Sequence, residues 1–140
     1  MDRRILLIED SEPDRVLLRA ALSRLDDPPR LEEAPTGEAG LESLEVSLDG
    51  RDLPSLVLLD INLPGVDGHE VLARIRKHER IAGVPVVMLS TSSDPDEVRR
   101  CYEAGANAYL VKPESVKRQT AMLADLQSFF FVQAALPYDA

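Results

Sequence analysis

The sequence is poor in cysteine, histidine and aromatic residues. Cys101 is the only cysteine among 140 residues, which excludes an internal disulfide and a thiolate-rich zinc site. His69 and His78 are the only histidines, and neither has a partner pattern typical of a metal ligand or a phosphodonor, so we interpret both as surface residues. A lone cysteine fits a reducing compartment, and we expect the protein in the cytoplasm.

Basic residues and long apolar runs are also scarce. Sixteen Lys and Arg stand against 25 Asp and Glu, for a net charge of −9. Because this charge repels nucleic-acid phosphates and anionic lipids, we expect neither nucleic acid nor membrane as a partner. The amino-terminal stretch MDRRILLIED has an apolar run far too short for an export signal or a membrane span. Divalent cations and basic protein surfaces remain compatible partners.

Short apolar runs of strand length recur along the chain. Four of them are Ile5–Ile8, Leu56–Leu59, Val86–Leu89 and Ala108–Val111. Runs of this kind without polar alternation are typical of parallel strands covered by helices on both faces, so we predict that all four are fully buried. A fifth strand, Arg30–Ala34, is assigned mainly by elimination, and its sequence RLEEA suits an edge position.

Helical spacing fills the segments between the strands. Ser11 and Thr36 are predicted to cap the first two helices, and the other three helices are predicted to begin at Asp67, Asp94 and Ser115. The predicted inner faces are Val16, Leu17, Ala20, Ala21 and Leu25 in the first helix, Ala39, Leu41, Leu44 and Leu48 in the second, and Val71, Leu72 and Ile75 in the third. This alternation predicts an α/β fold with one doubly wound parallel sheet. We expect a single domain over residues 1–140, with Asp49–Pro54 as an internal loop.

Polar side chains stand where the predicted strands end. Glu9 and Asp10 follow the first strand, Asp60 the third, Ser90 the fourth and Lys112 the fifth. Ligands of such sheets bind beyond the carboxyl ends of the strands, so these groups should meet. Three converging carboxylates raise one another's pKa values unless a cation joins them. Mg²⁺ suits carboxylate oxygens, with Mn²⁺ as a substitute, although each acid taken alone could be a solvated loop residue or a cap.

A carboxylate between a metal ion and a lysine is suited to attack phosphorus. Asp60 would then form an acyl phosphate, a recognised form of covalent catalysis. Phosphoryl transfer depends mainly on positioning and charge neutralisation, which the metal, Lys112 and the hydroxyl of Ser90 could supply. The plainer alternative is that Lys112 only neutralises the acidic cluster.

Four sequence blocks resemble the signature blocks of the receiver domain of two-component response regulators: LLIED, LVLLDINLPGVDG, VPVVMLSTS and AYLVKP. The resemblance implies a flavodoxin-like (CheY-like) fold with five helices and the strand order 2-1-3-4-5. It implies Asp60 as phosphoacceptor, and Glu9, Asp10 and the backbone carbonyl of Asn62 as further metal ligands. Lys112 would contact the phosphoryl group, and Pro113 would follow a cis peptide bond.

The same resemblance assigns a conformational switch. It makes Ser90 the switch hydroxyl and Tyr109 a rotating aromatic ring, which without the resemblance would be interpreted as a packed core residue. Asn62 and Ser92 stand two residues after Asp60 and Ser90, and we expect them to tune the lifetime of the phosphoryl group.

These features predict a stand-alone response regulator that accepts a phosphoryl group from a sensor histidine kinase. It would be no enzyme beyond its own phosphorylation and dephosphorylation. Residues after about Phe131 are too few for a DNA-binding domain, so output would pass through a partner or through dimerisation. Two alternatives remain: a Mg²⁺-dependent phosphohydrolase with an aspartate nucleophile, although Asn62 stands where such enzymes place a second acid, and a binding module of the same fold that is never phosphorylated.

The end of the chain resembles a narrower group. The ending SFFFVQAALP, the double proline Pro28-Pro29 and the longer loop before the third strand are similar to single-domain response regulators that partner bacterial and cyanobacterial phytochromes. Three consecutive large side chains on a helix cannot all face one core stripe. Phe129, Phe130 and Phe131 therefore either belong to a tail folded over its own domain or form a homodimer interface, and the resemblance favours dimerisation through the last helix and an extension at about residues 129–140.

Overall fold

Five parallel strands form one sheet in the computed structural model, which describes residues 3–50 and 53–137 apart from the side chains of residues 48–50. The strands are β1 (Arg4–Ile8), β2 (Arg30–Ala34), β3 (Leu56–Asp60), β4 (Val86–Ser90) and β5 (Ala108–Val111). Their order is β2-β1-β3-β4-β5, and every neighbouring pair is parallel. The predicted doubly wound, flavodoxin-like fold is confirmed.

Five α-helices connect and follow the strands. They are α1 (Glu12–Leu22), α2 (Gly37–Gly50), α3 (Gly68–Lys77), α4 (Pro95–Glu103) and α5 (Val116–Gln127), and α5 continues as a π-helical turn over Ser128–Gln133. The side chains of the two predicted caps, Ser11 and Thr36, and of the three predicted helix starts, Asp67, Asp94 and Ser115, each accept a hydrogen bond from a backbone N–H two or three residues ahead. Over the described ranges, no helix is long and apolar enough to cross a membrane.

The core lies in two layers, one on each face of the sheet. Alternate residues of the central strands point to opposite faces: Leu6 and Leu59 pack with α2 and α3, whereas Leu7 and Leu58 pack with α1 and α5. Strands β1, β3 and β4 are buried as predicted. The prediction of full burial was wrong for β5, which is half-buried and ends in the exposed Val111, because an edge strand has a neighbour on one side only.

The inner face of α1 also differs from the prediction. Leu18, Ala21 and Leu22 are buried, whereas Val16 and Ala20 are exposed. The spacing allowed either stripe, and packing against α5 selects the one that contains Leu18.

The other two predicted inner faces are largely confirmed. In α2 the residues Leu41 and Leu44 are buried, and the Leu48 side chain lies outside the described residues. In α3 the predicted face is buried throughout. The predicted loop Asp49–Pro54 begins inside α2, which ends at Gly50, and residues 51–52 lie outside the described residues.

Two further expectations concern the carboxyl-terminal part. The described residues contain no cis peptide bond, so the expected cis bond before Pro113 was wrong; the trans form is the intrinsically favoured one. Of the three phenylalanines, Phe130 is buried, Phe131 is half-buried and Phe129 is 58% exposed. Leu136 packs against the α1–α5 side of the core, so the tail partly folds over its own domain, and residues 138–140 of the predicted extension lie outside the described residues.

Candidate functional site

The carboxyl ends of β1, β3, β4 and β5 bring the predicted site residues to one edge of the sheet. Lys112 is fixed there by its backbone N–H, which donates to the Ser90 carbonyl oxygen at 2.7 Å. Helix α3 begins directly against the end of β3: a Cβ at Gly68 would lie 2.3 Å from the Asp60 carbonyl oxygen and 2.6 Å from the Ile61 Cα. Because both are backbone atoms that cannot yield, only glycine permits this approach.

Three carboxylates meet at this edge. One oxygen from each of Glu9, Asp10 and Asp60 lies within 4.8 Å of the others. Glu9 and Asp60 are buried at 2% and 6% exposure, whereas Asp10 is exposed. Hard oxygen donors with one side open to water are what Mg²⁺ and Mn²⁺ require, because these ions keep some of their water ligands. The cluster therefore fits a divalent cation.

Lys112 supplies a positive charge that contacts two of these acids and one further acid. Its Nζ donates to Glu9 Oε1, to Asp14 Oδ2 at 3.1 Å and to Asp60 Oδ2 at 3.3 Å. Sequence analysis did not assign Asp14 to the site, because an acid in the first turn of a helix is most simply explained by the helix dipole. The only signal in the sequence was that Asp14 lies four residues after Asp10, in the first turn of α1.

The surroundings raise the pKa values of both Glu9 and Lys112. Burial raises the pKa of Glu9 to about 7, and the neighbouring Asp60 adds to the shift, while Lys112 offsets part of it. Burial by itself would lower the pKa of Lys112, but the hydrogen bond to Glu9 and the charges of Asp60 and Glu9 outweigh it and raise that pKa. Lys112 therefore keeps its charge beside these acids, and burial disfavours the ionised form of Glu9.

The predicted switch residues lie next to one another. Ser90 is fully buried, and its Oγ accepts a hydrogen bond from Ser92 N at 3.1 Å. Tyr109 packs against the α2–α3 side of the core, and its hydroxyl donates to the Ser92 carbonyl oxygen at 2.7 Å. Glu97 Oε1 lies 3.3 Å from the same hydroxyl, and Tyr102 OH accepts from Tyr109 N at 3.2 Å. Sequence analysis missed these two residues of α4.

The two residues predicted to tune phosphoryl lifetime occupy different surroundings. Asn62 is exposed and lines the open cleft that also contains Asp10, and its backbone N–H donates to Asp60 Oδ1 at 3.3 Å. The Ser92 hydroxyl accepts from Asp94 N at 3.1 Å and so belongs to the turn before α4.

The histidines and the cysteine lie outside the acidic cluster. Both histidines are half-buried and reach the surface in part. Burial, with Arg100 as a second cause, lowers the pKa of His69, and His78 Nδ1 accepts from Arg80 N at 3.2 Å. Cys101 is fully buried, and burial raises the pKa of its thiol.

The protein therefore has a parallel α/β fold, with an acidic cleft that fits a divalent cation at the carboxyl ends of its strands. Residues 5–124 match the family model described as the response regulator receiver domain, and the chain belongs to this family. Members of this family are signalling modules of two-component systems that accept a phosphoryl group.

Relatives with similar sequences or structures cover most of the chain. It is 45% identical over 118 residues to the probable methanogenesis regulatory protein FilR2 of Methanothrix harundinacea, with 81% of this chain and 76% of that protein aligned. It is 36% identical over 135 residues to the response regulator Rcp1 of Synechocystis, with 95% and 92% aligned.

Two solved structures of relatives have the same fold over nearly their whole length. The phosphorylated cyanobacterial phytochrome response regulator RcpA superposes with a TM-score of 0.88 at 30% identity, covering 98% of this chain and 99% of that one. The Mn²⁺-bound form of Rcp1 superposes with a TM-score of 0.83 at 35% identity, covering 96% and 99%.

Proposed function

We propose that this protein accepts a phosphoryl group on Asp60 from the phosphohistidine of a sensor histidine kinase, with Mg²⁺ as cofactor. The observation that carries this proposal is the position of the Asp60 carboxylate between two other acids and the Lys112 ammonium, at 6% exposure. In the transfer, a bond forms between an Asp60 oxygen and phosphorus while the phosphorus–nitrogen bond of the donor breaks. The released imidazole takes a proton from solvent.

Different residues of the cleft have different roles in phosphoryl transfer. Glu9, Asp10, Asp60 and the backbone carbonyl of Asn62 would hold the cation, which when bound neutralises charge on the transferred group. Lys112, already 3.3 Å from Asp60 Oδ2, contacts a phosphoryl oxygen, and Ser90 donates to another. Ser90 and Tyr109 form the conformational switch, in which the Tyr109 ring rotates in response to Ser90. Asn62 and Ser92 influence the lifetime of the acyl phosphate.

Labelling with a small phosphodonor tests the proposed site. Incubation with acetyl phosphate and Mg²⁺ should add the mass of one phosphoryl group to the intact protein, and a chelator should prevent it. Asp60→Asn should abolish the addition, whereas the matched variant Asp67→Asn, which keeps an N-cap side chain on the exposed start of α3, should label normally. Undiminished labelling of Asp60→Asn would contradict the assignment, and steady Asp60-dependent turnover of a general phosphatase substrate would favour a phosphohydrolase instead.

The proposed kinase is a phytochrome, and the proposed site of action is the cytoplasm. Support for the partner comes from the likeness to RcpA, a phytochrome response regulator, over 98% of this chain. Phosphotransfer from a purified phytochrome kinase should be faster by at least an order of magnitude than from a histidine kinase without a chromophore. Equal rates from both kinases would refute the phytochrome assignment.

We also propose a homodimer formed through α5 and its extension. Phe129 is 58% and Val132 is 72% exposed on the extension, and apolar side chains this open are typical of an interface. Light scattering at micromolar concentration should give twice the mass of one chain, and Phe129→Ser should lower it. The mass of one chain both with and without beryllofluoride and Mg²⁺ would refute the dimer.

A further inference from the structure

A small cavity lies directly behind Lys112, between α1, α5 and the sheet. Its volume is about 10 Å³, close to the smallest space that holds one water molecule. The polar lining residues are Glu9, Asp14, Lys112 and Gln119. The remaining walls are apolar and include Leu18 and Met122.

Gln119 gives this cavity an unusual polar wall. The residue is 6% exposed, and its side-chain Nε2 donates to the Pro113 carbonyl oxygen at 3.0 Å. That bond fixes the orientation of the amide, because the opposite orientation would bring two oxygen acceptors together. Oε1 is the end of the amide left for the cavity, and within the described residues it is a buried atom with no hydrogen-bond partner.

Buried amide oxygens are almost always hydrogen-bonded, to protein or to ordered water. We propose that this cavity binds one ordered water molecule, which donates one hydrogen bond to Gln119 Oε1 and the other to a carboxylate oxygen of Glu9 or Asp14. Water satisfies both acceptors at once because it carries two hydrogens. A second ammonium group is excluded by the size of the cavity, and the Lys112 ammonium already donates to three carboxylates.

The bound water extends the acidic cluster into α5. Gln119 then acts on Lys112 in two ways, through the carbonyl of the adjacent Pro113 and through the water that shares its carboxylate partners. This consequence rests on the proposed function, whereas the water site itself does not.

A double-mutant cycle tests the water site. Leu18→Met extends an apolar side chain toward the cavity with little change in volume. If it displaces a bound water, Gln119 Oε1 loses its partner, and the melting temperature should fall by roughly 3–6 °C, the shift that one lost buried hydrogen bond gives in a domain of this size. In the Gln119→Met background there is no such oxygen, and Leu18→Met should then be neutral or stabilising. Equal effects in the two backgrounds would overturn the proposal.

A direct measurement accompanies the cycle. Magnetic relaxation dispersion of water oxygen counts long-lived internal waters, and the wild type should hold one more than either Leu18→Met or Gln119→Met. Leu44→Met, a change at a fully buried leucine on the opposite face of the sheet, should leave the count unchanged. Equal counts in the wild type and both cavity variants would refute the site. Neither readout involves phosphorylation, so failure here is distinguishable from failure of the Asp60 assignment.

Discussion

Replacement of Lys112 by methionine should destabilise the metal-free protein. The variant keeps most of the apolar stem and removes the cation that contacts Glu9, Asp14 and Asp60. At an effective dielectric constant of about 20, the attraction across the 3.3 Å to Asp60 alone amounts to about 5 kcal/mol before desolvation. Loss of one partner from a buried ion pair typically costs about 3–5 kcal/mol. Because Lys112 is 13% and Asp14 46% exposed, water compensates in part, and we expect a loss of about 2–3 kcal/mol.

Urea unfolding in the presence of a chelator measures this loss. Millimolar Mg²⁺ should then recover a larger share of stability in Lys112→Met than in the wild type, because the cation replaces charge that the variant lacks. Lys117→Met, at an exposed position on α5, is the matched control and should change stability by less than about 0.5 kcal/mol. If Lys112→Met unfolds like Lys117→Met, or if Mg²⁺ stabilises both equally, the electrostatic reasoning is wrong.

Two other substitutions and one chemical modification test the packing around the site. Arg76 on α3 donates hydrogen bonds to four acceptors near the start of β4 and in the α4–β5 turn. In urea unfolding, Arg76→Ala should lower the free energy of unfolding by about 3 kcal/mol, whereas the exposed control Arg74→Ala should lower it by less than about 0.5 kcal/mol. Gly40→Ala would place a Cβ 2.4 Å from Ile8 Cδ1 and should cost about 1–3 kcal/mol by thermal unfolding. Burial raises the pKa of Cys101, so mass spectrometry should find it unmodified by iodoacetamide at pH 8 in the native state and modified in urea; native-state alkylation at the unfolded rate would contradict its burial.

Local signals in the sequence were enough to predict the strands and the helix starts. The unbroken apolar runs of β1, β3 and β4 are buried on both faces, as such runs indicate. The helix starts were predictable because capping is decided within about four residues of chain. Glu9, Asp10, Asp60, Ser90 and Lys112 were predictable for a related reason: parallel strands bring their carboxyl ends together whatever the details of packing.

The features that sequence analysis missed depend on neighbours distant in the chain. The buried stripe of α1 contains Leu18 because α5 lies beside it, and β5 is half-buried because it has an edge position. Asp14 approaches Lys112 across 98 residues, and Glu97 on α4 approaches Tyr109 on β5. Nothing local distinguishes these acids from solvated ones.

Chemical localisation of the phosphoryl group tests the central claim most directly. Borohydride reduces an aspartyl phosphate to homoserine, which peptide mass spectrometry assigns to one position. After treatment with acetyl phosphate and Mg²⁺, we expect homoserine at residue 60 and at no other aspartate. Homoserine at Asp10, Asp14 or another position, or none in protein whose intact mass has increased by a phosphoryl group, would contradict the account.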